Sequence, residues 1–407
     1  MNILLLTQVL PYPPDSGPKV KTWNVLKYIA QRHRVTLVSF VRGDQTRELG
    51  QLKAYFHATS PLSGVFSVPM QRGPLQDGLA LVRSLASGMP WMIARDDRTA
   101  MRRMVDHLAK ENHFDVVHAD QVNMSQYAFR LPAVRKVLDA HNALWLLYKR
   151  LWQALDGGPQ KWLLGRDWRL LKRYEGRVCQ QFDTLLAVSQ EDRLALEEAR
   201  AEAGGGGHPI TVVPIAIDTG EVTQVQRSPN ADHILHIGTM YWPPNIDGIR
   251  WFIKDVYPLI RAQYPQARLD LLGARPPEDL LALNGKDGGI HVAGYVADPT
   301  SYLESAGVMV VPLRAAGGMR VKILNALAQG VPVVSTSLGC EGIAVESGRH
   351  LLVGDSAPEF AQAVIKVLSD WELAARLVQN GRRLVESLYD YRVACRPLDQ
   401  VYFGESG

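Results

Sequence analysis

Short apolar runs alternate with longer amphipathic stretches along the chain, and this alternation limits the possible folds more than any other feature. In the first half the apolar runs are ILLL (3–6), VTLVSFV (35–41), DVVH (115–118), VRKVL (134–138) and TLLAV (184–188). Helical stretches such as KVKTWNVLKYIAQR (19–32) lie between them. Strands that alternate with amphipathic helices are typical of parallel sheets covered by helices. The sequence therefore predicts an α/β protein.

The alternation restarts after a run of glycines at 204–207. A strand at 210–214 follows, and a second series of apolar runs then lies at 233–237, 268–272, 290–293, 308–312, 331–335 and 351–353. A chain of 407 residues is long enough for two or three domains. We predict a first domain at 1–203, a hinge at 204–231, a second domain at 232–385 and a tail at 386–407. Because ligands bind at the carboxyl ends of parallel strands, we expect the site in a cleft between the halves.

Composition and missing motifs exclude several classes of protein. The net charge of +4 is too small and too dispersed to indicate nucleic-acid binding. Three distant cysteines, Cys179, Cys340 and Cys395, indicate reduced thiols in a cytosolic protein. No apolar run is long enough for a membrane span or typical of a secretory signal, so we expect a cytoplasmic chain. The sequence lacks G-x-G-x-x-G after the first strand, a P-loop and G-x-S-x-G, which disfavours dinucleotide oxidoreductases, P-loop enzymes and serine hydrolases.

The segment AAGGMRVKILNALAQGVPVVST (315–336) combines two glycines, two cations and an amphipathic helix. Gly317 and Gly318 let backbone amides approach a ligand at a helix start, where the helix dipole adds positive charge. Arg320 and Lys322 add two formal cations in the first turns. This arrangement suits a diphosphate, and a plain turn followed by two solvated cations is the alternative.

Several longer segments carry a resemblance to a known family. In the second half they are HIGTMYWPPNIDGIRWF, LLGARPP, IHVAGYVADPTSYLESAGVMVVPL, GGMRVKILNALAQGVPVVST and EGIAVESGRHLLVGD. In the first half they are LPYPPDSGPKVKTWNVLKYIA, FDVVHAD, DAHNALW and RYEGRVCQQFDTLLAVSQEDR. Over nearly its whole length the chain resembles glycosyltransferase family 4. The resemblance implies the GT-B fold, in which two Rossmann-like domains face a central cleft and C-terminal helices cross back to the first domain.

The resemblance also implies a retaining hexosyltransferase that needs no metal and no cofactor. Its donor would be a nucleoside-diphosphate sugar, UDP- or GDP-linked, and its acceptor a glycan, a lipid-linked molecule or a small molecule. No Asp-x-Asp pair offers metal ligands in the sequence. A GT-B sugar-nucleotide epimerase or hydrolase, and a weakly active or non-catalytic sugar-nucleotide-binding protein, are the alternatives. The sequence predicts no particular oligomeric state.

The donor site departs from the pattern that the family implies. The family's Glu-x7-Glu pattern falls on Gly317 and Asn325, and the Asn325 amide keeps an acceptor oxygen for the donor ribose. Many members carry an Arg and a Lys, six residues apart, after the strand at 233–237. The matching residues here are Thr239 and Asn245.

Because those two cations are missing, the phosphates need other partners. We predict Arg320 and Lys322 as catalytic cations, with Arg275 or Arg314 as helpers. Met319, between the glycines and Arg320, is included in the nucleotide-sugar site.

The remaining nucleotide contacts come from two loops. The resemblance implies that Gly294, Tyr295 and Val296 contact the base and ribose, with Tyr295 equally suited to packing. It also implies that the backbone amide of Gly17 approaches the donor phosphate. A plain strand–helix turn is the alternative for Gly17.

Polar residues follow two strands of the first half. His118 is predicted to be catalytic, because the family often has a histidine here near the transferred sugar or the acceptor. Asp120 would orient His118 or bind the acceptor, and Asp139, His141 and Asn142 are further acceptor-side candidates. Structural roles in strand ends and turns are the alternatives. Because no clear carboxylate pair emerges, we expect front-face substitution, in which the leaving phosphate takes the acceptor's proton.

The stretch 144–177 contains eight Lys or Arg residues against three Asp or Glu residues, with four interleaved tryptophans. Basic helices with aromatic anchors suit the surface of an anionic membrane, so peripheral contact there is one interpretation. An ordinary helical pair packed on the first sheet is the interpretation that we favour.

Overall fold

A computed structural model describes residues 1–403 except 132–133, 229–230, 286–287 and 316. Parts of the predicted hinge (229–230) and tail (404–407) therefore lie outside the described residues. The chain forms two compact units. The first unit comprises Met1–Ala216, Gly317–Met319 and Tyr391–Gly407, and the second comprises Ile217–Ala316 and Arg320–Asp390.

The first unit is built on a parallel sheet of seven strands. The strands are β1 (Asn2–Thr7), β2 (Arg34–Val41), β3 (Gly64–Pro69), β4 (Val116–Asp120), β5 (Arg135–Ala140), β6 (Thr184–Ala187) and β7 (Ile210–Val212), in the spatial order β3-β2-β1-β4-β5-β6-β7. Successive β1 side chains enter separate cores, Leu4 and Leu6 on one face and Ile3 and Leu5 on the other. Burial on both faces explains why these strands read as continuous apolar runs.

Helices cover both faces of this sheet. They are α1 (Gly17–Ala30), α2 (Thr46–Thr59), α3 (Pro74–Ser87), α4 (Trp91–Arg95), α5 (Thr99–Glu111), α6 (Ser125–Ala128), α7 (Leu144–Gln153), α8 (Gly158–Gln181) and α9 (Gln190–Glu202). The stretch 144–177 thus forms the paired helices α7 and α8. Leu171 and Val178 of α8 join the core, which confirms that this pair packs on the first sheet.

The second unit contains a parallel sheet of six strands. The strands are β8 (His233–Ile237), β9 (Arg268–Leu272), β10 (Ile290–Gly294), β11 (Ala306–Val311), β12 (Val333–Ser335) and β13 (Leu352–Val353), in the order β10-β9-β8-β11-β12-β13. Its helices are α10 (Pro243–Trp251), α11 (Tyr257–Gln263), α12 (Glu278–Leu281), α13 (Thr300–Ser305), α14 (Val321–Gln329), α15 (Ser337–Cys340), α16 (Ala357–Ser369) and α17 (Trp371–Leu384). Two parallel sheets with helices confirm the predicted α/β class.

The last helices, α18 (Tyr391–Ala394) and α19 (Pro397–Phe403), belong to the first unit. The hydroxyl of Tyr28 on α1 donates to Asp399 at 2.7 Å, and Leu398 is buried in the same core as Ile3. The predicted return of the C-terminal helices to the first domain is confirmed.

Two strands of the first unit differ from the prediction. The strand β3 was not predicted, because most of its residues are only half-buried at the sheet edge. The strand β7, which the sequence placed in the hinge, pairs with β6 and extends the first unit to Ala216.

The three cysteines are free and buried. Among the described residues, no helix combines the length and the apolar character that crossing a bilayer requires.

Candidate functional site

A polar cluster of the second unit lies where β8 ends. Gly238 follows this strand, and a Cβ atom on it would lie 2.7 Å from Lys322 Nζ and 3.1 Å from Asn245 Nδ2. Lys322 Nζ donates to Asn245 Oδ1 at 3.2 Å, and Asn245 Nδ2 donates to the carbonyl of Thr239 at 2.9 Å. The structure therefore brings together three of the residues that the sequence predicted for the donor. Glycine leaves the space between them open.

The amine of Lys322 has an altered acidity. Burial, with the charge of Arg320 as a second cause, lowers the pKa of Lys322 to about 7. Within the described part of the chain no carboxylate pairs with this amine, and its hydrogen-bond acceptor is the neutral Asn245. A cation without a counter-charge at the amino end of α14 is suited to bind an anion.

His236 joins this cluster, and the sequence did not single it out. Its ring is buried, and Nδ1 donates to the carbonyl of Val310 at 3.1 Å. Burial, followed by the charge of Lys322, lowers the pKa of His236 to about 3, so the ring is neutral. Its Nε2 would lie 3.2 Å from a Cβ on Gly238 and has no hydrogen-bond partner among the described residues. The sequence signal that could have identified His236 is its position near the carboxyl end of a predicted strand.

Arg320 has a different environment from Lys322. It is the N-cap residue of α14, and its buried guanidinium donates to the carbonyls of Gly339, Leu338 and Glu341 at 3.2, 3.1 and 3.3 Å. These contacts tie the start of α14 to α15. They contradict the predicted direct catalytic role of Arg320, because the guanidinium is bound to backbone carbonyls.

The helix start also differs from the prediction. α14 begins at Val321, so Gly317 and Gly318 precede the helix rather than open it. Gly318 has φ +67°, and a Cβ there would lie 3.0 Å from the carbonyl oxygen of His141 in the same unit. Met319 Sδ accepts a hydrogen bond from the amide of Ile215 at 3.3 Å. These three residues group with the first unit, not with the second as the sequence suggested.

The other predicted nucleotide contacts are placed as follows. Asn325 is half-buried and lies three residues after Lys322, which puts both on one face of α14. Gly294 ends β10 with φ +70°, and its carbonyl accepts from the amide of Gly273 at 2.7 Å. Tyr295 is 76% exposed, which contradicts a packing role and leaves its ring available to a ligand.

The flanking positions complete the predicted set. Val296 beside Tyr295 is half-buried, and Gly17 is the first residue of α1. Arg314, the other helper that the sequence suggested, pairs with the exposed carboxylate of Asp247 at 2.7 Å. The guanidinium of Arg275 lies 5.1 Å from the ring centre of Tyr241.

The first unit has its own polar cluster, at the carboxyl edge of its sheet. The strand register sets Thr7, Asp120 and Asp139 side by side at the ends of β1, β4 and β5. Asp120 Oδ2 accepts from the Thr22 hydroxyl at 2.9 Å, and its Oδ1 accepts from His141 Nε2 at 2.9 Å. Asp120 therefore orients His141, not His118 as one interpretation of the sequence had it.

His118 lies inside β4, and the structure contradicts its predicted catalytic role. Its side chain is 0% exposed, and Nδ1 forms a short hydrogen bond with the hydroxyl of Tyr402 on α19. Burial lowers the pKa of His118, which keeps the ring neutral. An enclosed ring held by a C-terminal helix is a core element and does not reach a substrate.

Asp139 and His141 retain unused hydrogen-bonding atoms. The two carboxylate oxygens of Asp139 have no hydrogen-bond partner among the described residues. The same is true of Nδ1 of His141. Lys21 Nζ lies 3.4 Å from Asp139 Oδ2 and donates to the carbonyl of Val213 at 2.7 Å. Asp120, Asp139 and His141 offer three potential metal ligands within 4.8 Å of one another, but the Lys21 ammonium already supplies a positive charge there.

Asn142, the last acceptor-side candidate, follows His141 and is half-buried. A Cβ on Gly318 would lie 3.3 Å from the Cβ of Asn142. The structure thus brings Asp120, His141 and Asn142 into one neighbourhood of the first unit.

Comparisons with known families match both halves of the chain. A model described as Glycosyltransferase Family 4 matches residues 17–221, and one described as Glycosyl transferases group 1 matches residues 231–370. An uncharacterized 44.6 kDa protein in the cps region of Klebsiella pneumoniae is 21% identical over 324 residues, which are 77% of this chain and 80% of that protein. The putative glycosyltransferase YtcC of Bacillus subtilis is 34% identical over 81 residues, 19% of this chain and 20% of that protein.

Solved structures share the fold over almost the whole chain. Anabaena Alr3699/HepE in complex with UDP and glucose has a TM-score of 0.66 at 16% identity and covers 98% of this chain and 99% of its own. Sucrose-phosphate synthase from Thermosynechococcus elongatus has a TM-score of 0.69 at 16% identity, covering 99% and 98%. Staphylococcus aureus TarM, in complex with UDP among other ligands, has a TM-score of 0.69 at 9% identity, covering 98% and 99%. These likenesses show a GT-B fold.

Proposed function

The chain belongs to glycosyltransferase family 4, and we propose that it transfers a sugar from a nucleoside-diphosphate sugar to a hydroxyl acceptor. We propose that the anomeric configuration is retained and that no metal or other cofactor takes part. The observation that carries the proposal is the half-buried Lys322, whose amine lies beside Gly238 without a carboxylate partner in the described residues. A donor diphosphate would supply the missing negative charge.

The donor is proposed to be UDP-linked, with a GDP-linked sugar as the other candidate. HepE and TarM, which share this fold, have UDP in their structures. The amide oxygen of Asn325 is proposed to accept a hydrogen bond from the ribose, one helical turn from Lys322. The exposed Tyr295 and the backbone of Gly294 and Val296 are proposed to contact the base.

Front-face substitution is the proposed chemical step. The bond between the anomeric carbon and the phosphate oxygen breaks, with its electron pair on the phosphate. The acceptor oxygen bonds to the same face of that carbon, and its proton passes to the leaving phosphate. Lys322 and the amino end of α14 would stabilise the charge on the diphosphate.

The acids of the first unit support this step over a covalent intermediate. Both oxygens of Asp120 are bound, one by Thr22 and one by His141. Asp139 is 0% exposed and lies beside the Lys21 ammonium. Neither carboxylate is therefore presented as a nucleophile.

His141 is proposed to bind a hydroxyl of the acceptor. Because a carboxylate only accepts, the contact with Asp120 places the single proton of a neutral imidazole on Nε2 and leaves Nδ1 as an acceptor. Asp120 is a positioning residue in this proposal, and Asn142 lies next to the proposed acceptor contact. We further propose that the enzyme acts in the cytoplasm, where its buried thiols stay reduced.

A transfer assay tests the function. The purified protein is incubated with UDP- and GDP-sugars, a chelator and a panel of glycan and lipid-linked acceptors, and the product anomer is read by NMR. We expect UDP release that depends on the acceptor, with retention. Release of free sugar or of an epimer without an acceptor product would instead identify a hydrolase or an epimerase.

Two substitutions in the first unit test the acceptor contact in the same assay. Asp120→Asn presents an amide to Nε2 and moves the imidazole proton to Nδ1, and His141→Phe removes both nitrogens. We expect each to raise the acceptor KM about tenfold while the affinity for UDP stays unchanged, because one hydrogen bond of this kind contributes about 1.4 kcal/mol. An unchanged acceptor KM in both variants would contradict the assignment.

A further inference from the structure

The helix α3 is packed the opposite way from an ordinary surface helix. Its buried residues are Ala80 and Ser84. Its large apolar side chains are exposed instead: Leu75 by 72%, Leu79 by 62%, Val82 by 64% and Leu85 by 50%. We call these four residues the α3 stripe.

The spacing of the α3 stripe makes it continuous. Leu75, Leu79 and Val82 are separated by four and three residues, which stacks them along one face, and Leu85 borders that face. At about 1.5 Å per residue the helix is roughly 21 Å long, so the stripe covers an elongated apolar surface. A surface helix normally turns such a face toward the core, and an exposed contiguous patch marks an interaction site.

The neighbouring helix α8 carries an exposed tryptophan of its own. Arg166 of α8 donates to the hydroxyl and the carbonyl of Ser84 at 3.0 and 2.6 Å, which fastens α8 to α3. Trp162 lies one turn before Arg166 and is 63% exposed. Trp162 also lines a surface cavity of about 460 Å³ together with Lys161 and Arg169.

The charge of α7 and α8 indicates the kind of partner. Residues 144–177 contain eight Lys or Arg and three Asp or Glu, whereas the three arginines of residues 70–95 each lie within 4.0 Å of Asp96 or Asp97. Arg83, on α3 itself, is 61% exposed at the side chain. A second copy of the chain would present an equally basic surface and be repelled. A bilayer with anionic lipids offers negatively charged headgroups and an apolar acyl region beneath them.

We propose that the α3 stripe and Trp162 insert shallowly into an anionic lipid bilayer, with the cations of α3, α7 and α8 on the lipid phosphates. The tryptophan suits the headgroup boundary, and the aliphatic side chains suit the outer acyl region. This surface goes beyond the proposed transfer reaction and does not depend on which donor the second unit binds.

Sedimentation with vesicles tests the proposal on the full chain at low salt. We expect binding to phosphatidylglycerol vesicles, little binding to phosphatidylcholine vesicles, and release at high salt. The variant Leu75→Ser/Leu79→Ser/Val82→Ser should lose at least about tenfold in binding to the anionic vesicles, because its apolar contact is removed. All three side chains are exposed, so the variant retains the buried core.

A matched control changes exposed apolar residues elsewhere. Leu281→Ser/Leu388→Ser alters two second-unit residues that are 46% and 45% exposed, and it should bind vesicles as the unchanged protein does. The proposal is overturned if the unchanged protein ignores anionic vesicles, or if the triple variant binds them equally. Self-association that the triple variant abolishes would assign the stripe to a second copy instead. The response of each variant to UDP, measured in parallel, separates this result from any failure of the donor assignment.

Discussion

Two cations two residues apart have different roles because their surroundings differ. The Arg320 guanidinium donates hydrogen bonds to the carbonyls of residues 338, 339 and 341, whereas the Lys322 amine donates to the neutral amide of Asn245. The arginine therefore holds the loop before α14 to α15, whereas the lysine has no carboxylate partner among the described residues. Sequence position alone gave them the same role.

The altered acidity of Lys322 predicts how donor binding depends on pH. In the protein without ligand, the pKa of Lys322 is about 7. A bound diphosphate favours the charged amine and raises the pKa of Lys322. Above pH 7 binding must therefore take up a proton, and the affinity for UDP-glucose should fall by up to about tenfold per pH unit. UDP-glucose is the chosen probe because its diphosphate diester does not titrate in this range.

The control for that measurement is Lys322→Gln, which cannot titrate. Its weaker binding should be nearly independent of pH between about 6 and 9. An affinity of the unchanged protein that stays flat over the same range would contradict the assignment of Lys322 to the phosphates.

Sequence reasoning identified most of the individual residues but not their partners. Lys322, Asn245 and Thr239 were predicted for one site and do converge there. The pairing of Asp120 with His141 depends on how β4 and β5 align, which single-sequence patterns do not specify.

At the scale of elements, the contact between α14 and α15 holds the start of α14 in place. Arg320→Ala removes the donors to three carbonyls, of which those of Leu338 and Gly339 belong to α15. We expect a loss of about 1–3 kcal/mol in the free energy of unfolding, because buried acceptors lose charged donors. Thermal or urea unfolding measures this loss.

The matched comparison is Lys322→Ala, which breaks one bond to a side-chain amide. It should unfold within about 1 kcal/mol of the unchanged protein but bind UDP about thirtyfold more weakly. Arg320→Ala should bind UDP more weakly only through the displaced helix, so rescue by Arg320→Lys should be partial. A variant Arg320→Ala with full stability and no UDP binding would restore the catalytic role that the structure contradicts.

The elements themselves were predictable where burial is complete. Buried parallel strands read as apolar runs, and each of the predicted runs corresponds to a strand. The strand β3 was not predicted because it is an edge strand, most of its residues are only half-buried, and its apolar pattern is therefore weak. Helix α3 shows a second limit of sequence patterns. Periodicity reveals that a helix has an apolar stripe, but it does not reveal whether that stripe packs against the protein's own core or is exposed.

At the scale of the whole molecule, the chain order of the elements does not match the membership of the two units. The last helices return to the first unit, where Tyr402 closes over His118. The resemblance implied this return, and local patterns did not, because contacts over 284 residues leave no mark on periodicity. The burial of His118 follows from it.

The central claim is that the second unit binds a nucleoside diphosphate through Lys322, and equilibrium binding of UDP in the presence of a chelator tests it most directly. Lys322→Ala is compared with Lys366→Ala, which removes an exposed lysine from α16 of the same unit. We expect the unchanged protein and Lys366→Ala to bind UDP equally, and Lys322→Ala to bind about thirtyfold more weakly, for a loss of about 2 kcal/mol. Equal binding by Lys322→Ala, or no binding of UDP or GDP by a cooperatively folded protein, would contradict the claim.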